Sequence, residues 1–249
     1  MLFRWSKKQN YSLGLNKNCY ETVIMNAVDP SIFFIKHHQS DLIQKQKRWN
    51  LIATSWSPSK NKGFDLYEYL DQNLDFQQYS MKFIGNSPVT FKNIEHIEPQ
   101  PPKKLADYLR KSDIFITGSK NDPCSNALIE ALACGLPSVV LNDGGHPEIV
   151  KKGGETFNTF EECLSKIQLI KEDYNRYKNN IQVPDIEEIA DQYLGFMRDL
   201  YLKSLNNTLK IKKLRIFDYY KVVFYKIKYL VPGIKKKFLE VRKLFLPII

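Results

Sequence analysis

The chain has 249 residues, 43% of them hydrophobic, and carries 37 Lys and Arg against 27 Asp and Glu, a net charge of +10. That length holds one large domain or two small ones, with apolar residues enough for a core. No run of about 18 apolar residues occurs, which argues against a membrane-spanning helix.

The four cysteines (Cys19, Cys124, Cys134, Cys163) are widely spaced and lack Cys-x-x-Cys, as expected of reduced thiols in a cytoplasmic protein rather than a disulfide frame or zinc site. Residues 210–249 hold 12 basic and 2 acidic side chains, so the whole net charge belongs to this tail and the body is neutral.

In chain order, Met1-Leu2-Phe3-Arg4-Trp5 is followed at once by Lys7 and Lys8, without the apolar run of a signal peptide. Residues 1–48 read as the end of a preceding domain: a short strand over 21–25 and a connection over 30–36, with His37 and His38 on its surface. Residues 49–170 alternate strand and helix. Strands are predicted over 50–55, 82–85, 94–97, 113–117 and 138–142, and helices over 64–72, 103–110 and 161–169. Such alternation predicts right-handed crossovers and an α/β fold: a doubly wound parallel sheet with helices on both faces. Residues 171–205 read as one or two polar C-terminal helices, the last over 186–201.

Residues 206–249 form a separate unit. Phe217, Tyr220, Phe224, Ile227 and Val231 make one apolar stripe. Pro232-Gly233 breaks it, and Ile234, Phe238, Val241, Phe245 and Ile248 make a second. Basic amphipathic helices of this kind suit an anionic bilayer surface, each cation contributing about 1 kcal/mol. A hairpin packed on the body is the other reading. No RNA- or DNA-binding motif accompanies the charge, so no nucleic-acid partner is expected.

The segment Asp-Ile-Phe-Ile-Thr-Gly-Ser-Lys-Asn-Asp-Pro-Cys-Ser-Asn-Ala-Leu-Ile-Glu-Ala-Leu-Ala-Cys-Gly-Leu-Pro, residues 113–137, is the most specific in the chain. A buried strand leads into a polar loop and a helix, which Asp122-Pro123 begins and Gly135 and Pro137 end. The helix is apolar nearly all round except for Glu130. A buried lone carboxylate needs a partner. It is either half of a core ion pair or a ligand residue at the carboxyl edge of the sheet.

Asp122 and Glu130 stand eight residues apart, around Pro123-Cys124-Ser125-Asn126. This resembles the Glu-x7-Glu signature of the retaining glycosyltransferases of family 4. The resemblance runs from about Asn26 to Ile149. It takes in Asn26-Ala27-Val28-Asp29-Pro30, similar to the family's interdomain linker, then Lys62-Gly63-Phe64-Asp65, Phe83-Ile84-Gly85, Gly144-Gly145 and Glu148-Ile149. It implies the C-terminal, donor-binding half of a GT-B fold, with most of the N-terminal domain missing. The substrate implied is a nucleotide-sugar, such as a UDP- or GDP-sugar, whose hexose passes to a glycan or lipid-linked acceptor. Cell-surface polysaccharide or glycoconjugate synthesis is the setting expected.

By the same resemblance Lys62 contacts the diphosphate, with Gly63 beside it. The amides of Cys124, Ser125, Asn126 and Ala127 receive phosphate and sugar oxygens at a helix N-terminus. Asp122 meets sugar hydroxyls, unless it is a plain N-cap. Glu130 accepts from the ribose diol. Gly85 allows close approach of the base, and His96-Ile97 lines the base pocket through its backbone, unless His96 is an ordinary packed histidine. His146 is a candidate for the pocket rim.

The family usually adds an Arg a few residues before the Lys. Residues 55–61 contain none, and Lys60 is the cation available there. No Asp-x-Asp and no His/Cys/Asp cluster with metal spacing occurs, so neither cofactor nor metal is expected. A peripheral position on the cytoplasmic face of the membrane follows from the tail. A second chain could supply the acceptor domain. The competing reading is a non-catalytic nucleotide-sugar-binding or scaffold subunit at the membrane surface.

Overall fold

A computed structural model describes residues 20, 22–36, 48–209, 217, 220 and 223. Most of the basic tail, His37, His38 and Cys19 lie outside the described residues.

Among the described residues six strands form one parallel sheet: β1 (Trp49–Ser55), β2 (Tyr79–Gly85), β3 (Glu95–Ile97), β4 (Ile114–Thr117), β5 (Ser138–Leu141) and β6 (Gly154–Phe157). Their order across the sheet is β3-β2-β1-β4-β5-β6. The helices are α1 (Phe64–Asn73), α2 (Pro102–Arg110), α3 (Asn126–Ala133), α4 (His146–Val150), α5 (Phe160–Glu172), α6 (Tyr174–Asn179) and α7 (Ile186–Leu205).

Side-chain alternation along each strand sorts the core into two layers. Leu51 and Ala53 of β1 and Ile114 and Ile116 of β4 pack with Leu66, Tyr67 and Leu70 of α1 and with Ile167 and Ile170 of α5. Ile52 and Phe115 point the other way, onto Leu105 and Leu109 of α2, Leu128 and Leu132 of α3, and Ile149 of α4. The sheet is thus covered on both sides, as the strand-helix alternation predicts. Because the chain runs outward from β1 to β3 and then restarts at β4 on β1's other side, the strand order reverses between β1 and β4. In open α/β sheets that reversal opens a crevice at the carboxyl ends of the strands, where ligands bind.

Three expectations need correction. Residues 22–25 form no strand. The segment is held instead through Asn26, which bonds to Cys124 and Asn126, while Met25 and Val28 pack against the core cluster that includes Leu128 and Leu132 of α3. The helix of the signature segment starts at Asn126, with Ser125 as N-cap, and not at Asp122-Pro123. Helix α4 and strand β6 are absent from the sequence reading. Gly154 and Glu155 are poor strand formers ahead of Thr156 and Phe157, and a Cβ on Gly154 would lie 1.9 Å from the Ser138 carbonyl oxygen. The bare backbone is what lets β6 close on β5.

Candidate active site at the strand-order reversal

Lys62 ends a 3-10 turn, Lys60–Lys62, that follows β1; Ser59 caps it by accepting from the Asn61 N–H at 3.4 Å. Gly63 then enters α1 with φ of 79°. A Cβ there would come within 2.4 Å of the Gly118 carbonyl, so only glycine lets the loop after β1 press on the loop after β4. The two loops are also tied by Lys120 N–H donating to Asn61 O at 2.7 Å and by the Lys120–Asp65 ion pair at 2.6 Å.

This contact brings two of the predicted residues together. Lys62 Nζ lies 3.0 Å from Asp122 Oδ2. The Asp122 side chain is 13% exposed and that of Lys62 35%. Asp122 is therefore not an N-cap. Ser125 Oγ takes that role, accepting from Leu128 N–H at 3.4 Å. The amides of Asn126 and Ala127, in the first turn of α3, have no acceptor among the described residues, which leaves them available to an anion. Lys60 is exposed in the same turn as Lys62.

Asp122 is held from behind. Its carbonyl accepts from Gly145 N–H at 2.9 Å, and the Asn121 N–H donates to the Asp143 carboxylate. Gly144 has φ of 59°, and a Cβ on it would stand 2.2 Å from Asp122 O; one on Gly145 would stand 2.2 Å from Pro123 O. The glycine pair thus seats the loop after β5 under the Asp122 loop. His146, expected as an exposed residue of the pocket rim, is instead fully buried.

Glu130 lies one turn beyond Asn126 on the face of α3 turned from the sheet. Leu128, Ile129, Ala131 and Leu132 fill the opposite face. No hydrogen bond or ion pair holds the Glu130 carboxylate among the described residues, so the core ion pair is not found. Burial alone raises its pKa from 4.5 to about 7. The segment over 22–36 runs along this same helix. Asn26 N–H meets Cys124 Sγ at 3.4 Å and Asn26 Nδ2 meets Asn126 Oδ1 at 2.7 Å at one end; Ile35 lies against Gly135 at the other. Asn26 is a site neighbour that the sequence reading treats only as linker. The signal was its place in Asn26-Ala27-Val28-Asp29-Pro30.

Gly85 and Ile97 end β2 and β3 on the same sheet edge, with Ser55 paired to Gly85 and Ile84 to Ile97. A Cβ on Gly85 would fall 1.8 Å from Ser55 O, so the packing of β2 on β1 already demands this glycine. His96 is exposed on β3; its Nε2 lies 2.8 Å from Gly85 O and its ring stands near those of Phe83 and Phe91. Cys124, Cys134 and Cys163 are free thiols.

Residues 90–182 match the family model of the group 1 glycosyl transferases. D-inositol 3-phosphate glycosyltransferase of Rhodococcus opacus is 37% identical over 60 residues, which are 24% of this chain and 14% of that protein. The chain spans between 14% and 22% of the length of the curated relatives it matches. Among solved structures, sucrose-phosphate synthase of Thermosynechococcus elongatus superposes with a TM-score of 0.61 at 16% identity, covering 79% of this chain and 57% of that one. HepE of Anabaena, solved in complex with UDP-glucose, gives 0.59 at 18% identity over 72% of this chain and 57% of its own. The sequence match supports a glycosyltransferase, and the fold is the Rossmann-like half of the GT-B architecture that the resemblance implies. No described helix is long and apolar enough to cross a membrane.

Proposed function

We propose that the chain is the donor-binding part of a retaining, family 4-like glycosyltransferase that takes a hexose from a nucleotide-sugar. The carrying observation is the set of groups gathered where the strand order reverses. A cation, Lys62, and the open N-terminus of α3 sit beside Asp122, and the carboxyl of Glu130, which has no partner among the described residues, follows one turn along the same helix.

Each end of a nucleotide-sugar finds its chemical complement there. The diphosphate takes Lys62 and the amides of Ser125, Asn126 and Ala127. The ribose diol donates to Glu130, and sugar hydroxyls donate to Asp122. The Gly85 and Ile97 edge receives the base. HepE, which shares the fold and was solved with UDP-glucose, supports a nucleoside-diphosphate sugar as donor.

In the transfer, the bond from the anomeric carbon to the diphosphate oxygen breaks and one to an acceptor hydroxyl oxygen forms. The hydroxyl proton passes to the departing phosphate, and the configuration is retained. Lys62 and the helix dipole stabilise the charge that develops on the diphosphate, without a metal. A glycan or lipid-linked acceptor completes the reaction, with a second chain as the source of the acceptor domain.

Calorimetry of UDP, GDP and ADP and their sugar derivatives against the full chain tests the reading. Binding of at least one pair is expected, lost in Glu130→Ala and weakened about tenfold or more in Lys62→Ala. Absence of binding across the panel leaves the competing role, a scaffold without turnover.

We further propose that residues 206–249 hold the protein on the cytoplasmic face of an anionic membrane. Phe217, Tyr220 and Val223 are helical and exposed, at the spacing of one helix face. Flotation with phosphatidylserine liposomes is expected for the full chain and not for residues 1–205; equal flotation of both contradicts the assignment.

A further inference from the structure

His146 is fully buried, yet only half of its ring is satisfied. Nδ1 lies 3.1 Å from the carbonyl oxygen of Leu141. A carbonyl can only accept, so Nδ1 carries the hydrogen. Nε2 is buried and has no hydrogen-bond partner among the described residues. Burial disfavours the imidazolium. In the neutral ring with hydrogen on Nδ1, Nε2 is an acceptor. An acceptor left dry and unpaired costs free energy, and such atoms in folded proteins call for a specific explanation.

The backbone that leads into His146 is seated against the Asp122 loop. Gly144 and Gly145, just before it, are packed on the carbonyls of Asp122 and Pro123. The His146 N–H closes the same turn on Asp143 O at 3.3 Å. The charged groups that act on the ring are the carboxylates of Asp122 and Asp143 and the ammonium of Lys62. The neighbourhood therefore offers acceptors on Asp122 and His146 and a donor on Lys62. A diphosphate oxygen has no hydrogen to give Nε2. A hydroxyl can give its hydrogen to Nε2 and take one from Lys62, and a hexose carries several hydroxyls at short spacing.

We propose that Nε2 of His146 accepts a hydrogen bond from a hydroxyl of the donor sugar, making His146 a determinant of which sugar is bound. The inference rests on the nucleotide-sugar reading above. It adds a second acceptor to Asp122, so that sugar recognition uses an aspartate on one loop and an imidazole at the start of α4.

The experiment compares UDP-glucose, GDP-mannose and ADP-glucose with UDP, GDP and ADP by calorimetry on the full chain. His146→Asn keeps a donor near the Leu141 carbonyl but removes the Nε2 acceptor. It is expected to weaken the nucleotide-sugar that binds by about 3- to 10-fold, the effect of one neutral hydrogen bond, and to leave its diphosphate within about 2-fold. His146→Gln, which can place an oxygen near the Nε2 position, is expected to recover part of the loss. Nitrogen-15 NMR of the wild-type imidazole, which needs no variant, is expected to show Nε2 shifting with the nucleotide-sugar and not with the diphosphate. An Nε2 resonance unmoved by the nucleotide-sugar, or equal losses for sugar and diphosphate, overturns the inference and leaves the nucleotide reading standing. Failure of all six nucleotides to bind overturns both.

Discussion

At the scale of single residues, the Lys62–Asp122 pair differs from the roles expected of its members one at a time. The resemblance assigns Lys62 to phosphate and Asp122 to sugar, and the structure joins them at 3.0 Å. Such a pair, with Lys62 35% exposed, stabilises the fold by no more than about 1 kcal/mol. Its members are therefore free to trade each other for a ligand. Asp122→Asn should change stability by less than about 1 kcal/mol. It should cost the nucleotide-sugar about tenfold or more in affinity, as expected for a charged acceptor. The nucleoside diphosphate should bind at least as well as before, because Lys62 is released. Thermal melts and calorimetry on the same variant check this; equal weakening of both ligands would place Asp122 outside sugar recognition.

At the scale of elements, the strands of the buried sheet were legible because their residues are β-branched or aromatic and hydrophobic on both faces. Ile114 to Thr117 is a clear instance. The start of α3 was misread by a few residues because Asp122-Pro123 satisfies the chemistry of a cap. Only the cross-loop ion pair, invisible in sequence, shows that the carboxylate is engaged elsewhere. Strand β6 and helix α4 were missed because tertiary fit, not propensity, forms them. Gly154 is there for the closeness of Ser138, and the five residues of α4 follow from the seating of Gly144 and Gly145. That seating has a measurable consequence. Gly144→Ala puts a methyl 2.2 Å from Asp122 O on a backbone of φ 59°, and the Asp122 loop must move. Nucleotide-sugar affinity is expected to fall although residue 144 has no assigned ligand contact, and the melting temperature to drop by several degrees. Unchanged affinity with a lowered melting temperature would show that the loop's position does not govern binding.

At the scale of the whole molecule, the sheet order brings residues 60 positions apart to one point. Lys62 follows β1 and Asp122 follows β4, and only the reversal of strand order makes these neighbours. The resemblance singled out Lys62, Asp122 and Glu130 as candidates; the pairing of Lys62 with Asp122, the place of Asn26 against α3 and the buried ring of His146 needed three dimensions. The central claim is that a nucleotide-sugar spans this crevice with its ribose on Glu130. The most direct test is a carbon-13 NMR titration of the Glu130 carboxyl with pH, with and without saturating nucleotide-sugar. Desolvation favours the protonated form, so the free protein should show a pKa of about 7. Hydroxyl donors favour the ionised form, so bound nucleotide-sugar should lower that value toward 4.5, and binding should tighten as pH rises through about 7. A Glu130 that titrates near 4.5 in the free protein, or whose pKa does not move when the nucleotide-sugar binds, would contradict the claim.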